Sequence, residues 1–250
     1  MQPLDLLALA AHPDDVELAC AGTLLMAKRA GKRTGIVDCT LGELSTRGTL
    51  ESRARETEAA SKILELDYRM NLHIPDGNIE LSQENLHRVI VQLRKTRPTI
   101  LLAPSPHERH PDHEAAAELA HRASFYAGLV KIETRDEDGT PQEPHRPLLV
   151  LHYMQAYSFE PKIIVDITPV FEERMRATEA FASQFQARPG NDAATGERTT
   201  ILAMPGFLEG LRARAAHYGM MIGTRYAEPF WAQAALGTKD LFSLVTKTIA

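Results

Sequence analysis

Residues 6–15 read Leu-Leu-Ala-Leu-Ala-Ala-His-Pro-Asp-Asp, a short apolar run that leads into a proline-containing turn. A similar arrangement follows later, where the apolar run Thr99–Ala103 precedes Arg-His-Pro-Asp-His at residues 109–113. An open α/β sheet presents functional side chains at the carboxyl ends of its strands, where a buried strand leads through a turn into a helix. The two runs therefore predict two strands whose ends gather histidines and aspartates in one crevice.

Strand-like and helix-like segments alternate along most of the chain. The predicted strands are Leu6–Ala10, Thr34–Thr40, Asn71–Ile74, Thr99–Ala103, Leu148–Met154 and Ile163–Ile167, and the predicted helices are Glu17–Arg29, Leu50–Leu64, Gln83–Lys95, Glu114–Ala127, Val170–Phe185 and Phe207–Tyr218. This alternation predicts an α/β fold with a Rossmann-like, doubly wound, mainly parallel sheet and helices on both faces. We expect residues 1–250 to form a single domain, with long loops near 135–147 and 186–200.

Composition excludes several kinds of partner. The chain has 28 Lys and Arg against 33 Asp and Glu, a formal charge of −5, and no basic block, so nucleic acid and anionic membranes are not expected as partners. Its apolar runs are much shorter than the ~18–20 residues that cross a bilayer. The N-terminus also lacks a signal-peptide pattern, so we expect a soluble cytoplasmic protein. Cys20 and Cys39 have no metal-binding spacing and are expected to be buried and reduced.

The two histidine-containing turns supply donor atoms for a metal site. Catalytic zinc usually takes three protein ligands and leaves a fourth position to water. We predict that His12, Asp15 and His113 bind one Zn²⁺ per subunit. Two imidazoles and a carboxylate would also suit Fe²⁺ or Co²⁺.

The remaining polar residues of these turns are candidates for catalysis. Asp14, next to the ligand Asp15, is predicted to be the general base. His110 is predicted to stabilise the developing oxyanion, and Asp112 to orient His110 and raise its basicity. Arg109 is a candidate for binding an anionic substrate group, and pairing with a neighbouring acid is the alternative.

Sequence patterns for other enzyme classes are absent. No G-x-G-x-x-G follows the first strand, and the chain contains no G-x-x-x-x-G-K-[ST], which disfavours a dehydrogenase and a P-loop enzyme. Ser45 and Ser105 do not lie in a G-x-S-x-G context, which disfavours a serine hydrolase.

Residues 11–17 and 110–113 together resemble the LmbE-like (PIG-L) zinc N-deacetylase superfamily. The further segments 38–49, 53–58, 71–76, 179–185 and 226–230 resemble its bacillithiol-biosynthesis branch. The resemblance implies removal of acetate from N-acetylglucosaminyl-malate, with the metal and catalytic residues named above in those roles. It also implies that Arg53 and Asp76 hold sugar hydroxyls or the aglycone.

The resemblance carries expectations about assembly and about one helper residue. It implies a homo-oligomer, with a hexamer as one form, that acts on a small amino-sugar conjugate. The apolar stretch Phe230–Leu236 is a candidate for subunit contact. Some relatives use a mobile tyrosine near the oxyanion, and Phe207 stands roughly at that place here. The metal and His110 would then stabilise the oxyanion without it.

Several alternatives are left open by these residues. The substrate could be another N-acetylglucosamine derivative, of chitooligosaccharide or lipid-linked type, or the enzyme could be an amidase of thiol conjugates. A zinc-binding assembly protein is the alternative outside the enzymes. Asp14 argues against it, because a structural zinc site is normally closed by a fourth ligand. Arg53 could instead be a solvated partner of Glu56 on its own helix.

Overall fold

A computed structural model describes residues 2–185 and 200–246 of the chain. The strands are β1 (Leu6–Ala10), β2 (Thr34–Asp38), β3 (Tyr68–Asn71), β4 (Ile100–Ala103), β5 (Leu149–Tyr153), β6 (Ile163–Asp166) and β7 (Ala227–Trp231). The helices are α1 (Asp15–Ala19), α2 (Ala21–Arg29), α3 (Leu50–Ile63), α4 (Gln83–Thr96), α5 (Pro111–Tyr126), α6 (Phe171–Glu179), α7 (Ala182–Phe185) and α8 (Phe207–Ile222), with 3₁₀ turns at Thr168–Val170 and Leu241–Leu244.

The seven strands of the described residues form one sheet in the order β3-β2-β1-β4-β5-β7-β6. The first five in this order are parallel, whereas β7 runs antiparallel to both β5 and β6. Strand β1 lies between β2 and β4, with Leu6 opposite both Thr34 and Ile100. From β1 the sheet extends to β2 and β3 on one side and to β4 and β5 on the other, so the direction of the strand order reverses between β1 and β4. In an open α/β sheet this switch point is where ligands bind.

Strand β1 is apolar throughout because both faces of the sheet are covered. Leu6 and Ala8 pack into the core that includes α1, α2 and α6. Leu7 and Leu9 point the other way, into the core formed with α4 and α5. The alternation of side chains along a strand explains this division. The predicted doubly wound, mainly parallel α/β sheet is confirmed.

Element boundaries differ from prediction at several places. The expected helix Glu17–Arg29 is interrupted at Cys20, whose φ of −146° is not helical, and the expected helix Val170–Phe185 is divided into α6 and α7. The third strand lies at Tyr68–Asn71 and not at Asn71–Ile74. It is a half-buried edge strand without an apolar run, and the buried Ile74 belongs to the loop after it.

Strand β7 is an element that apolar patterning did not predict. Pro229 interrupts its five residues, and proline is normally a signal against a strand within a sheet. Phe230, a candidate for subunit contact, has its side chain buried in the core. The loop at 135–147 is irregular, as expected, with one bridge between Arg135 and Pro141. The other predicted loop lies outside the described residues except for Thr200.

None of the helices within residues 2–185 and 200–246 has the length and apolar character needed to cross a membrane.

Candidate active site

The candidate site lies where β1 and β4 end side by side. His12 and Pro13 follow β1, Asp14 precedes α1, and Asp15 is the first residue of that helix. Asp14 has a φ of 114°, a conformation that costs energy for a residue with a side chain. At the end of β4, His110 caps α5, and its Nδ1 accepts a hydrogen bond from the Asp112 backbone N–H at 3.2 Å.

His12, Asp15 and His113 form a group that could hold a metal ion. One donor atom from each residue lies within 4.8 Å of the others. The Asp15 Oδ1 atom is 3.2 Å from His113 Nε2, and Asp15 Oδ2 is 3.6 Å from His12 Nδ1. Two imidazoles and one carboxylate on a shared centre fit Zn²⁺ or a similar divalent ion. The structure thus brings together the three predicted ligands.

Carboxylates surround His12. Its Nε2 atom is 3.0 Å from Asp76 Oδ1 and 3.4 Å from Asp112 Oδ2. Burial opposes the charged imidazole, but hydrogen bonds with Asp112, Asp15 and Asp76 raise the pKa of His12 well above its ordinary value. The negative charge of these carboxylates favours a positive charge at this position, either on the imidazole or on a metal ion beside it. Donor atoms of His12, His110 and Asp112 also lie within 4.8 Å of one another, and Asp112 faces the Nε2 atom of His12.

Asp76 has contacts other than those expected for a substrate-binding residue. One of its carboxylate oxygens faces His12 Nε2, and the other accepts the Leu44 backbone N–H at 2.8 Å. A carboxylate on the second nitrogen of a ligand histidine fixes the ring orientation and increases its basicity. Asp76 also lines the cavity, and its role in holding the substrate stays a prediction.

Asp112 also differs from the expected arrangement. Its carboxylate Oδ2 faces His12 and accepts the Gly77 backbone N–H at 2.8 Å, so the side chain does not hold His110. Burial, together with the nearby His12 and His113, lowers the pKa of His110 despite the opposing charge of Asp112. Because His110 Nδ1 accepts the Asp112 N–H, the neutral ring carries its proton on Nε2. His110 can therefore donate a hydrogen bond without being charged.

Asp14 is buried beside Arg53. Burial raises the pKa of Asp14 to about 7; Arg53 opposes the rise and the charge of Asp15 adds to it. Arg53 Nη1 lies 3.3 Å from Asp14 Oδ2, and Arg53 Nη2 donates to the Pro13 carbonyl at 2.8 Å. The alternative pairing of Arg53 with Glu56 is not observed: Arg53 contacts Asp14 and Pro13, and the Glu56 carboxylate accepts hydrogen bonds from Ser183.

A cavity of about 510 Å³ opens over these residues. The predicted site residues that line it are His12, Asp14, Asp15, Arg53, Asp76, Arg109, His110 and His113. Arg109 is exposed, and among the described residues its guanidinium has no hydrogen-bond or ion-pair partner. Phe207 also lines the cavity. Asp112 is behind His12 and does not appear in the lining.

Sequence reasoning missed several lining residues that come from distant parts of the chain. They are Leu18, Gly42, Leu44, Ser45, Thr46, Gly77, Gln155, Ala156, Gln184, Thr200, Ile201, Leu202, Leu211 and Arg214. Gln155 directly follows the predicted strand Leu148–Met154, and its place at a carboxyl strand end was the available signal. Arg214 lies within a helix and carries no comparable signal.

Comparison with known proteins places this arrangement in a family. Residues 7–124 match the family model described as PIG-L, GlcNAc-PI de-N-acetylase. Diacetylchitobiose deacetylase from Thermococcus kodakarensis is 30% identical over 232 residues, which cover 89% of this chain and 80% of that protein. The chain therefore belongs to the PIG-L/LmbE-like deacetylase family.

Solved structures agree with this assignment. A conserved protein from Thermus thermophilus is 36% identical with a TM-score of 0.82, covering 95% of this chain and 98% of that one. N,N'-diacetylchitobiose deacetylase from Pyrococcus horikoshii is 26% identical with a TM-score of 0.74, covering 90% and 82%. These findings support the superfamily and not, specifically, the bacillithiol-biosynthesis branch.

Proposed function

We propose that this chain is a metal-dependent deacetylase that hydrolyses the N-acetyl group of a small N-acetylglucosamine derivative. The observation that carries the proposal is the buried Asp14 carboxylate beside the His12, Asp15 and His113 group, at a cavity open to a ligand. Deacetylase activity in the family supports the reaction class.

In the proposed hydrolysis, each of the site residues has a separate role. Zn²⁺ held by His12, Asp15 and His113 would polarise the amide carbonyl. Asp14 takes a proton from the attacking water and transfers it to the leaving nitrogen, a task suited to a carboxylate with a raised pKa. His110 donates from Nε2 to the carbonyl oxygen as negative charge develops there. Acetate and the free amine leave as products.

A chitooligosaccharide-type substrate is the finer proposal that the relatives support best. Both diacetylchitobiose deacetylases named above act, by their names, on such a sugar. It is the alternative that the sequence leaves open, and the comparisons favour it over the malate conjugate.

N-acetylglucosaminyl-malate is a second candidate because of Arg109. An exposed guanidinium at the cavity, without a partner among the described residues, can clasp a carboxylate with two hydrogen bonds. Homo-oligomeric assembly, proposed from the family resemblance, remains a prediction.

One experiment tests these proposals together. Purified protein is analysed for bound metal and assayed for amine release on diacetylchitobiose, N-acetylglucosaminyl-malate and N-acetylglucosamine. We expect metal in the protein and release of amine from at least one conjugate. Metal-loaded protein that releases no amine from any of them would contradict the proposed reaction, and the order of kcat/KM values decides between the two substrate classes.

A further inference from the structure

Gln155 makes a direct contact with a predicted metal ligand. It lies two residues beyond the end of β5, and its Nε2 donates to Asp15 Oδ1 at 2.8 Å. The other Asp15 oxygen accepts the His12 backbone N–H, also at 2.8 Å. Each oxygen of this carboxylate thus has one fixed donor. His113 Nε2 faces the same Oδ1 atom at 3.2 Å, on the side where a metal would bind.

The orientation of the Gln155 amide is unfavourable for the amide itself. An ionised carboxylate only accepts hydrogen bonds, so Gln155 must turn its NH₂ group toward Asp15. Its Oε1 is then buried without a hydrogen-bond partner among the described residues. An unpaired buried carbonyl is energetically unfavourable, and such exceptions call for an explanation. Here the explanation is that the Asp15 carboxylate needs a hydrogen-bond donor, and the Gln155 NH₂ group supplies it.

Arg214 ties the backbone of Gln155 to the helix that carries Asp15. One Nη atom of Arg214 donates to the Gln155 carbonyl, and the other donates to the Leu18 carbonyl at 2.7 Å. Leu18 belongs to α1, which begins at Asp15. A single planar guanidinium therefore fixes the distance between the loop after β5 and α1.

We propose that Gln155 is a positioning residue for the metal ligand Asp15, and that Arg214 acts through Gln155. The inference rests on the proposed metal site. Removal of one partner that orients a metal ligand typically weakens metal affinity about 10–100-fold. Gln155 would do so by holding Asp15 Oδ1 in line with His113 before the metal arrives.

The test is the zinc affinity of the full-length, metal-free protein, measured by competition with a chromogenic chelator. Gln155→Met keeps the length of the side chain and removes its donor, and we expect the Kd for Zn²⁺ to rise about 10–100-fold. Gln142→Met is the matched control, because Gln142 Nε2 donates to the Val91 carbonyl and its Oε1 also has no partner among the described residues. We expect that control to change Kd by less than about twofold.

A double-mutant cycle tests the part played by Arg214. Arg214→Met should weaken zinc binding more when Gln155 is present than in the Gln155→Met background, where its bond to the Leu18 carbonyl is the contact through which it can still act on α1. An equal effect of Arg214→Met in both backgrounds would overturn the action of Arg214 through Gln155. Thermal unfolding of each metal-free variant verifies that it is folded.

Two results would overturn the role of Gln155. One is a wild-type Kd in Gln155→Met, and the other is an equal loss of affinity in Gln142→Met. Failure of the proposed function gives a different result. A wild-type chain that binds zinc but releases no amine contradicts the deacetylase proposal, while the comparison of Kd values still decides the role of Gln155.

Discussion

At the scale of single residues, the proposed metal ligands and the proposed base are different side chains. His113→Ala should lose both metal and activity, because His113 Nε2 faces the shared centre. Asp14→Asn should keep the metal and lose about 10²–10⁴-fold in kcat, since the amide cannot accept the proton. Metal analysis and steady-state kinetics check both variants. Near-native turnover in metal-loaded Asp14→Asn would contradict its role as the base.

Arg53 lowers the proton affinity of Asp14, which burial raises, and also contacts its carboxylate. The positive charge of Arg53 opposes the rise in the Asp14 pKa, so Arg53→Met should raise that pKa further. Asp14 must be deprotonated to act as base. We therefore expect the acid limb of the pH dependence of kcat/KM to move to higher pH.

The control for this shift is Arg55→Met, which removes the same charge from an exposed position of α3. It should leave the acid limb where it is in the wild type. An acid limb that is the same in Arg53→Met and wild type would assign that limb to another group.

At the scale of elements, Glu228 on β7 stabilises the beginning of α2. Its carboxylate accepts hydrogen bonds from the backbone N–H groups of Gly22 and Thr23, at 2.9 and 2.7 Å, and Arg174 Nε lies 3.6 Å away. Cys20, at the N-terminal end of α2, provides no side-chain cap. A strand distant in sequence thus supplies the acceptor that a helix start needs.

Glu228→Ala should lower the free energy of unfolding by about 3–5 kcal/mol, because it leaves the buried charge of Arg174 without its counter-ion and two backbone N–H groups without their acceptor. Urea denaturation at pH 7 measures the change. Glu172→Ala is the control, since its exposed pair with Arg212 should contribute no more than about 1 kcal/mol. Equal losses in the two variants would contradict the capping role.

The pH dependence of stability has a definite sign for Glu228. Burial raises its pKa, while the charge of Arg174 and hydrogen bonds from Thr23 oppose the rise. A raised pKa means that this group favours the folded state most at low pH, and that its contribution is lost as pH rises from the unfolded value toward the folded one. Glu228→Gln, which does not titrate, should lack this part of the slope. An unchanged slope would show that other groups produce it.

Prediction from sequence succeeded for elements whose signals are local. Strand β1 is apolar on every residue because it is covered on both faces, and the turn after it carries His12 and Asp15 within four residues. Strand β3 is a polar edge, and β7 contains Pro229, so neither has the pattern of a buried strand. Asp76 was predicted as a site residue, but its contact with His12 depends on how two distant loops meet.

At the scale of the whole molecule, we expect substrate choice to depend on which charged side chains line the cavity, and Arg109 is one of them. If Arg109 binds an anionic aglycone, the malate conjugate should be preferred over N-acetylglucosamine by about 10- to 100-fold in kcat/KM. Arg109→Ala should remove this preference and leave hydrolysis of the neutral sugar nearly unchanged. Arg122→Ala, an exposed arginine of α5 whose side chain pairs with Glu118, is the control.

The ratio of the two kcat/KM values in wild type and variants is the measurement. Equal hydrolysis of both substrates by the wild-type enzyme would remove the case for an anionic aglycone. The deacetylase proposal itself would survive, with a neutral chitooligosaccharide as the substrate class.

The late position of β7 has a consequence for synthesis of the protein. β7 is the strand that joins β6 to β5, and among the described strands it is the last to be translated. Until β7 is made, a nascent chain on the ribosome therefore exposes the unpaired edge of β5. The first N–H groups of α2 also lack the Glu228 carboxylate that accepts their hydrogen bonds. Unpaired strand edges promote aggregation. We expect messages truncated before residue 227 to yield chains that depend on chaperones or are degraded, even though every predicted metal ligand has already been made.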